Sequence, residues 1–154
     1  MGYPLFKLQR GALGAIEDFK QSGNGVLFAS GNMWEGIDIP GDILSSLIIV
    51  RLPFAVPDTI AEWEQKKYKS LDDYKQHVAV PDMLIKLRQG VGRLLRTVSD
   101  SGAIALLDVR AASGTYRQTV LDALPQCPVT SDIQTVEGFI HTVKNNDYYS
   151  REVA

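Results

Sequence analysis

The sequence predicts an α/β domain whose mostly parallel sheet is covered by helices on both faces. Short apolar runs at residues 26–30, 47–51 and 103–108 are each bounded by turn-forming residues, as strands buried on both sides are. Stretches with apolar residues at helical spacing lie between them, which is the alternation that joins parallel strands by crossovers. The 154 residues are enough for one domain with a sizeable core, and they contain no internal repeat and no low-complexity tract.

Taken in order, residues 8–19 place Leu8, Ala12, Ile16 and Phe19 on one helical face, and Gln21-Ser22-Gly23-Asn24-Gly25 stops that helix. No strand is expected before it, because Met1-Gly2 leads straight into Tyr3-Pro4-Leu5-Phe6. The chain is therefore expected to be a single domain, residues 1–154, cut from a longer polypeptide at its N-terminal side. Val26-Leu27-Phe28-Ala29-Ser30 is the first strand, and a glycine-rich loop follows it from Gly31 to Gly41. Leu47-Ile48-Ile49-Val50-Arg51 is the second strand, which Pro53 and Pro57 end. Residues 60–74 form a charged helical region broken near Ser70-Leu71. Pro81-Asp82 starts a long helix through Arg96, since proline fits a first turn. Ser99 to Gly102 is a turn and residues 103–108 the third strand. Residues 116–124 and 136–143 read as further helices, with a last short strand at 127–130.

Composition narrows the function. Apolar residues make up 45% and charged residues 22%, ordinary for a soluble globular domain. A formal charge of −2 excludes a general basic coat, so any grip on nucleic acid must be local. Cys127 is the single cysteine and is expected as a buried thiol; no internal disulfide and no cysteine-based metal or iron–sulfur site can form within the chain. His77 and His141 lack ligand spacing and are expected at surface or packing positions, so no metal site is predicted. No run of about 18 apolar residues and no signal peptide is present, which predicts an intracellular, cytoplasmic protein without a membrane partner.

The run Gln89-Gly90-Val91-Gly92-Arg93-Leu94-Leu95-Arg96 carries the most chemistry. At about 100° per residue, with Gln89 at zero, Arg93 falls near 40° and Arg96 near −20°. Leu84, Leu87, Val91, Leu94 and Leu95 fall between about 140° and 240°. One face is thus apolar, and the other presents an amide and two guanidiniums. Two rigidly held arginines can fork onto a polyphosphate and neutralise charge that develops in phosphoryl transfer. Gly90 and Gly92 each weaken a helix by up to about 1 kcal/mol, which close approach of a ligand or backbone would justify. The plain alternative is a solvated basic face.

The loop Gly31-Asn32-Met33-Trp34-Glu35-Gly36-Ile37-Asp38-Ile39-Pro40-Gly41-Asp42 leaves the carboxyl end of a strand, where open α/β sheets bind ligands. Its glycines permit backbone approach to phosphate, and Ser30 and Asn32 suit a nucleic-acid backbone. Glu35 and Asp38 would pair with arginines or accept from a ribose hydroxyl or backbone amides. Trp34 either stacks on a base, worth about 1–3 kcal/mol, or caps the sheet. The alternative for the whole loop is an acidic, solvated turn.

Together the two runs, ~50 residues apart, resemble motifs V and VI of superfamily 2 helicases. Trp-Glu-Gly-Ile-Asp-x-Pro-Gly followed by Arg51-Leu52-Pro53-Phe54 resembles the DinG/XPD-like branch, and the likeness covers roughly Leu8 to Leu124. After Pro57 the chain has Asp58-Thr59 where that family commonly shows another Asp-Pro pair. The resemblance implies a second, C-terminal RecA-like domain of P-loop NTPase type. It implies that Arg93 and Arg96 reach the nucleotide's terminal phosphates, with Arg96 the arginine finger and Gln89 orienting water. It implies that Glu35, Gly36 and Asp38 link the nucleotide to the bound strand, and that Ser30, Gly31, Asn32, Trp34 and Arg51 touch single-stranded DNA. Asp108 and Arg110 match a Leu-Asp-x-Arg segment of the family; a strand-end salt bridge explains them at least as well as catalysis. Lys66, Lys67 and Lys69 either touch phosphates or form a solvated helix face.

No Gly-x-x-x-x-Gly-Lys-Ser/Thr run cradles a triphosphate, and no Asp-Glu-x-His run holds magnesium. ATP and Mg2+ are therefore expected mainly on an N-terminal RecA-like domain of the same parent chain, and any iron–sulfur cluster would lie outside this sequence. The expected role is the trans half of a helicase ATPase site. The alternatives are a stand-alone, non-catalytic module gripping single strands, and an unrelated doubly wound phosphate-binding enzyme, for which no Rossmann or Walker fingerprint is present.

Overall fold

The computed structural model describes residues 2–9, 14–30, 39, 43–95, 97 and 100–144. Among them helices alternate with parallel strands, as the α/β class requires. Two compact units divide the chain. One comprises Met1–Leu47, Gly90–Ala105 and Cys127–Ala154; the other comprises Ile48–Gln89 and Leu106–Gln126.

The first unit opens on strand β1 (Leu5–Lys7), followed by helix α1 (Gly14–Ser22) and strand β2 (Val26–Phe28). β1 and β2 run parallel in the register Leu5 to Val26, Phe6 to Leu27 and Lys7 to Phe28. Pro4 has no N–H to give, and its carbonyl accepts from Val26 N at 2.8 Å, while Leu8 N donates to Phe28 O at 2.8 Å. This corrects the expectation that no strand precedes the first helix. Period-two alternation wins over helical spacing here: Phe6 turns inward while Leu5 and Lys7 stay exposed, and Leu8 enters the core from the end of a strand. Leu8, Phe19 and Ile39 form the buried cluster, with Phe6, Ile16, Leu27, Ile43 and Leu44 packed against it. The Phe6 and Phe19 rings meet edge to face at 6.2 Å. α1 stops as its sequence indicates, with Gly23 at φ 71° in the left-handed cap conformation.

Strands β3 (Ser46–Ile49) and β4 (Ala103–Leu106) form a second pair. Ala103 N donates to Ser45 O and Leu107 N to Ile49 O, both at 3.0 Å, so the register advances in the same sense along both strands. The described strands therefore make two two-stranded sheets, where the apolar runs suggested one doubly covered sheet. Exposure explains why those runs overstate the case. Every second residue of β2 and β3 is exposed, so neither strand is buried on both faces.

Helix α2 (Thr59–Gln65) starts on Asp58, whose carboxylate accepts from Ala61 N at 2.7 Å. Helix α3 (Leu71–Tyr74) starts on Ser70, and the expected break lies between these two. α3 runs on through a wide turn, Lys75–Ala79, into helix α4 (Val80–Val91). Pro81 thus does not open the helix. It lacks the N–H that an α-helical bond to residue 77 would need, and the ladder widens just before it, with Val80 N donating to Lys75 O. α4 buries Met83, Leu87 and Val91, and the last two fall on the predicted apolar face. Helices α5 (Val109–Ala112) and α6 (Arg117–Ala123) follow β4, and Arg88 Nε donates to Ala123 O at 2.9 Å. Helix α7 (Ile133–Val143) is capped by Asp132. Residues 127–130 form no strand and Cys127 is exposed, both against expectation; Pro128 removes a ladder donor, and the segment is exposed throughout. No helix among the described residues is long and apolar enough to cross a membrane.

Candidate nucleotide and nucleic-acid site

α4 carries Gln89 on its exposed side, and Gly90 next to it is buried. The helix ends at Val91, short of the Arg96 expected from periodicity. Beyond it the backbone tightens into a turn: Arg93 N donates to Gly90 O and Leu94 N to Val91 O, each at 3.0 Å. Gly90 in the last helical turn and Gly92 just past its end favour this change, because they hold the wider ladder least firmly. Leu94 is still buried and Arg93 is half-buried, so Arg93 leaves from a turn and not from a helix face. Arg96 lies outside the described residues, as do Gly31, Asn32, Trp34, Glu35, Gly36 and Asp38. Of the glycine-rich loop the two flanks are described. Ser30 is exposed just beyond the carboxyl end of β2, and Ile39 is buried in the cluster with Leu8 and Phe19.

The best-defined geometry surrounds Arg51. Arg51 is exposed, two residues past the end of β3, and the next residue, Leu52, is buried. Asp108, just past β4, is 8% exposed. Its Oδ2 accepts from Leu52 N at 2.9 Å and from Arg110 Nη2 at 2.7 Å. Its Oδ1 accepts from Arg110 N at 2.9 Å and Arg110 Nε at 3.0 Å, the first of these capping α5. Arg110 in turn lies 4.9 Å from the Phe54 ring centre, and Phe54 packs on Tyr116 at 5.4 Å. Phe54 N donates to Leu52 O at 2.8 Å, closing a tight turn over Pro53. The Arg110 guanidinium holds the Asp108 carboxyl far below the usual carboxylate range; burial opposes this, and the Leu52 amide reinforces it. Arg110 is raised by the same partner.

The strand-end reading of Asp108 and Arg110 thus has a definite form: one carboxylate ties two chain segments together. Its link to Leu52 and the part of Tyr116 were not foreseen. The available signal was an aspartate ending an apolar strand immediately before a short helix. The lysines after α2 are exposed; Lys67 Nζ sits 4.0 Å over the Trp63 ring, and Lys69 N donates to Asp73. His77 is exposed and contacts Asp73 within its own helical segment.

A profile of the helicase C-terminal domain matches residues 7–127, which span the glycine-rich loop, the Arg51 turn, the Gln89–Arg96 run and Asp108. The chain belongs to the helicase C-terminal domain family. This helicase domain is of the DinG-like kind. It is 40% identical over 118 residues to a 3'-5' exonuclease DinG of Bacillus subtilis, covering 75% of this chain and 13% of that relative. It is 38% identical over 128 residues to the ATP-dependent DNA helicase YoaA of Escherichia coli, covering 81% of this chain and 20% of the relative. An ATP-dependent helicase DinG of Mycobacterium tuberculosis is 31% identical over 134 residues, again with 20% of the relative covered. The helicase domain therefore spans a fifth or less of the length of these relatives.

Proposed function

We propose that this helicase domain is the second RecA-like half of a DinG/XPD-like, ATP-dependent DNA helicase and acts in trans on an ATPase site. The reading rests on one observation: a single family match covers residues 7–127, a range that includes both the glycine-rich loop and the Gln89–Arg96 run. Arg96 is the arginine finger, Arg93 its partner on the terminal phosphates, and Gln89 the group that orients the attacking water. Glu35, Gly36 and Asp38 connect nucleotide and bound strand, while Ser30, Gly31, Asn32, Trp34 and Arg51 contact single-stranded DNA.

The donor set fits this division of labour. Gln89, Arg93 and Arg96 supply N–H groups to phosphate oxygens, and neither a Gly-x-x-x-x-Gly-Lys-Ser/Thr nor an Asp-Glu-x-His run is present here to hold triphosphate and Mg2+. Mg2+ and the triphosphate cradle therefore belong to an N-terminal RecA-like domain of the same parent chain, and an iron–sulfur cluster, where one exists, lies outside these residues. When ATP is bound, the contribution of this domain is positioning and charge neutralisation as the two halves close. The test is the ATPase rate of the complete polypeptide, with and without single-stranded DNA, for the wild type and Arg96→Ala. The expected result is collapse of the DNA-stimulated rate by about 10³-fold or more with ATP binding retained. Normal turnover by the variant would remove Arg96 from the site.

A further inference from the structure

We propose that Asp108 and Arg110 are positioning residues that fix the point from which Arg51 reaches the single strand; the inference rests on the reading of Arg51 as a strand contact.

Arg51 is pinned from both sides. Upstream, the Ile49 carbonyl accepts from Leu107 N at 3.0 Å, the last bond joining these two strands. Downstream, the Leu52 amide donates to Asp108 Oδ2 at 2.9 Å. Val50 and Arg51 alone span the interval between these anchors, and both are exposed. The turn beyond is equally constrained: Pro53 fixes its own φ, Phe54 N closes onto Leu52 O, and the Phe54 ring contacts both Arg110 and Tyr116.

The guanidinium of Arg51 has no hydrogen bond or ion pair with a described residue, whereas Arg88, Arg110 and Arg117 each donate to the chain. Such a cation on a fixed backbone suits a phosphate of an extended strand, because little further backbone order must be imposed when it binds. Asp108 itself faces inward and carries the charge opposite to the one a nucleic acid would select. Its service to binding is indirect, through the Leu52 amide.

Asp108→Asn is the informative change. It keeps the shape of the side chain but turns an N–H₂ toward the Leu52 amide or the Arg110 fork, setting donor against donor. The measurement is the salt dependence of binding to a dye-labelled oligothymidylate by the complete polypeptide. Each lost phosphate contact lowers the slope of log K against log salt by about 0.7 for a single strand. Arg51→Ala is expected to lower it by that amount, Asp108→Asn to approach the same value, and the double variant to fall no further. Partial unfolding would lower the active fraction and leave the slope unchanged, so the slope separates positioning from loss of fold. If circular dichroism shows that Asp108→Asn does not fold, Arg110→Gln, at a half-exposed position, is read in its place with the same expected direction. An unchanged slope in the folded clamp variants, or additive loss in the double variant, overturns the positioning role. An unchanged slope in Arg51→Ala instead overturns Arg51 as a strand contact, and the clamp's purpose with it.

Discussion

Asp108 shows how a buried charge is kept in this domain. Its two oxygens accept four hydrogen bonds, and its partner Arg110 remains 49% exposed at the side chain. Solvent at the arginine end screens the ion pair, so the contribution lies well below that of a fully buried pair. Asp108→Asn is expected to cost about 2 kcal/mol at neutral pH, measured by urea unfolding. The pH dependence follows from the direction of the shift. The folded-state pKa lies below the unfolded one, so the stabilisation is complete above the ordinary carboxylate value of about 3.9. It fades as pH falls through that value toward the folded one. The gap between wild type and variant should therefore narrow in acid, and a gap constant from neutral pH into strong acid would exclude the ion pair as its source. Gly102 is constrained differently. A Cβ there would lie 2.6 Å from the Ser45 carbonyl oxygen and 2.8 Å from Leu94 Cδ1. Backbone cannot yield as a flexible side chain does, so Gly102→Ala should destabilise by about 1–3 kcal/mol in the same unfolding assay.

At the scale of elements, legibility followed the strength of local signals. The stop of α1 was readable because Gly23 and its neighbours supply a cap that no longer-range contact has to complete. β1 was not, because three residues give too short a window to separate alternation from helical spacing; its parallel partner Val26–Phe28 decides the matter. Pro81 misled in an instructive way. Proline suits a first turn, but a wide turn can also absorb its missing donor, and Lys75–Ala79 does so while the helical path from Leu71 continues. α7 combines a strong start with a weak middle, and both are testable. Asp132 accepts from Thr135 Oγ1 at 2.7 Å, Gln134 N at 3.2 Å and Thr135 N at 3.0 Å, and these bonds, the hydroxyl's foremost, lower its pKa. Asp132→Ala should reduce far-UV helical signal and leave the α7 amides less protected against hydrogen exchange. Gly138→Ala should do the reverse, since its Cβ would meet nothing within 4 Å and the helix gains about 1 kcal/mol of propensity. Loss of protection in Gly138→Ala would show that the glycine is needed for a contact.

For the whole molecule, the sequence carried family membership further than site geometry. The glycine-rich loop and the Gln89–Arg96 run were recognisable as strings because their residue types and spacing are specific. How Gln89 and Arg93 are presented was not, because the periodic model extends the helix past two glycines that in fact end it. The Leu52–Asp108 bond links residues 56 apart, a distance at which no local pattern operates. What the sequence lacks is as consequential as what it holds. In the proposed trans role the arginines of this domain act on a nucleotide cradled by another domain, in keeping with the absence here of a Gly-x-x-x-x-Gly-Lys-Ser/Thr run. The proposed trans role therefore predicts that the isolated 154-residue chain releases phosphate from ATP no faster than buffer does, with or without single-stranded DNA. It also predicts that the same chain, joined to an ATP-binding RecA-like half, turns over at a DNA-stimulated rate that depends on Arg96. Phosphate release by the isolated chain clearly above background would mean that the catalytic constellation is complete within these residues. The arginines would then have to be reassigned from contacts across a domain cleft to a site closed by one domain.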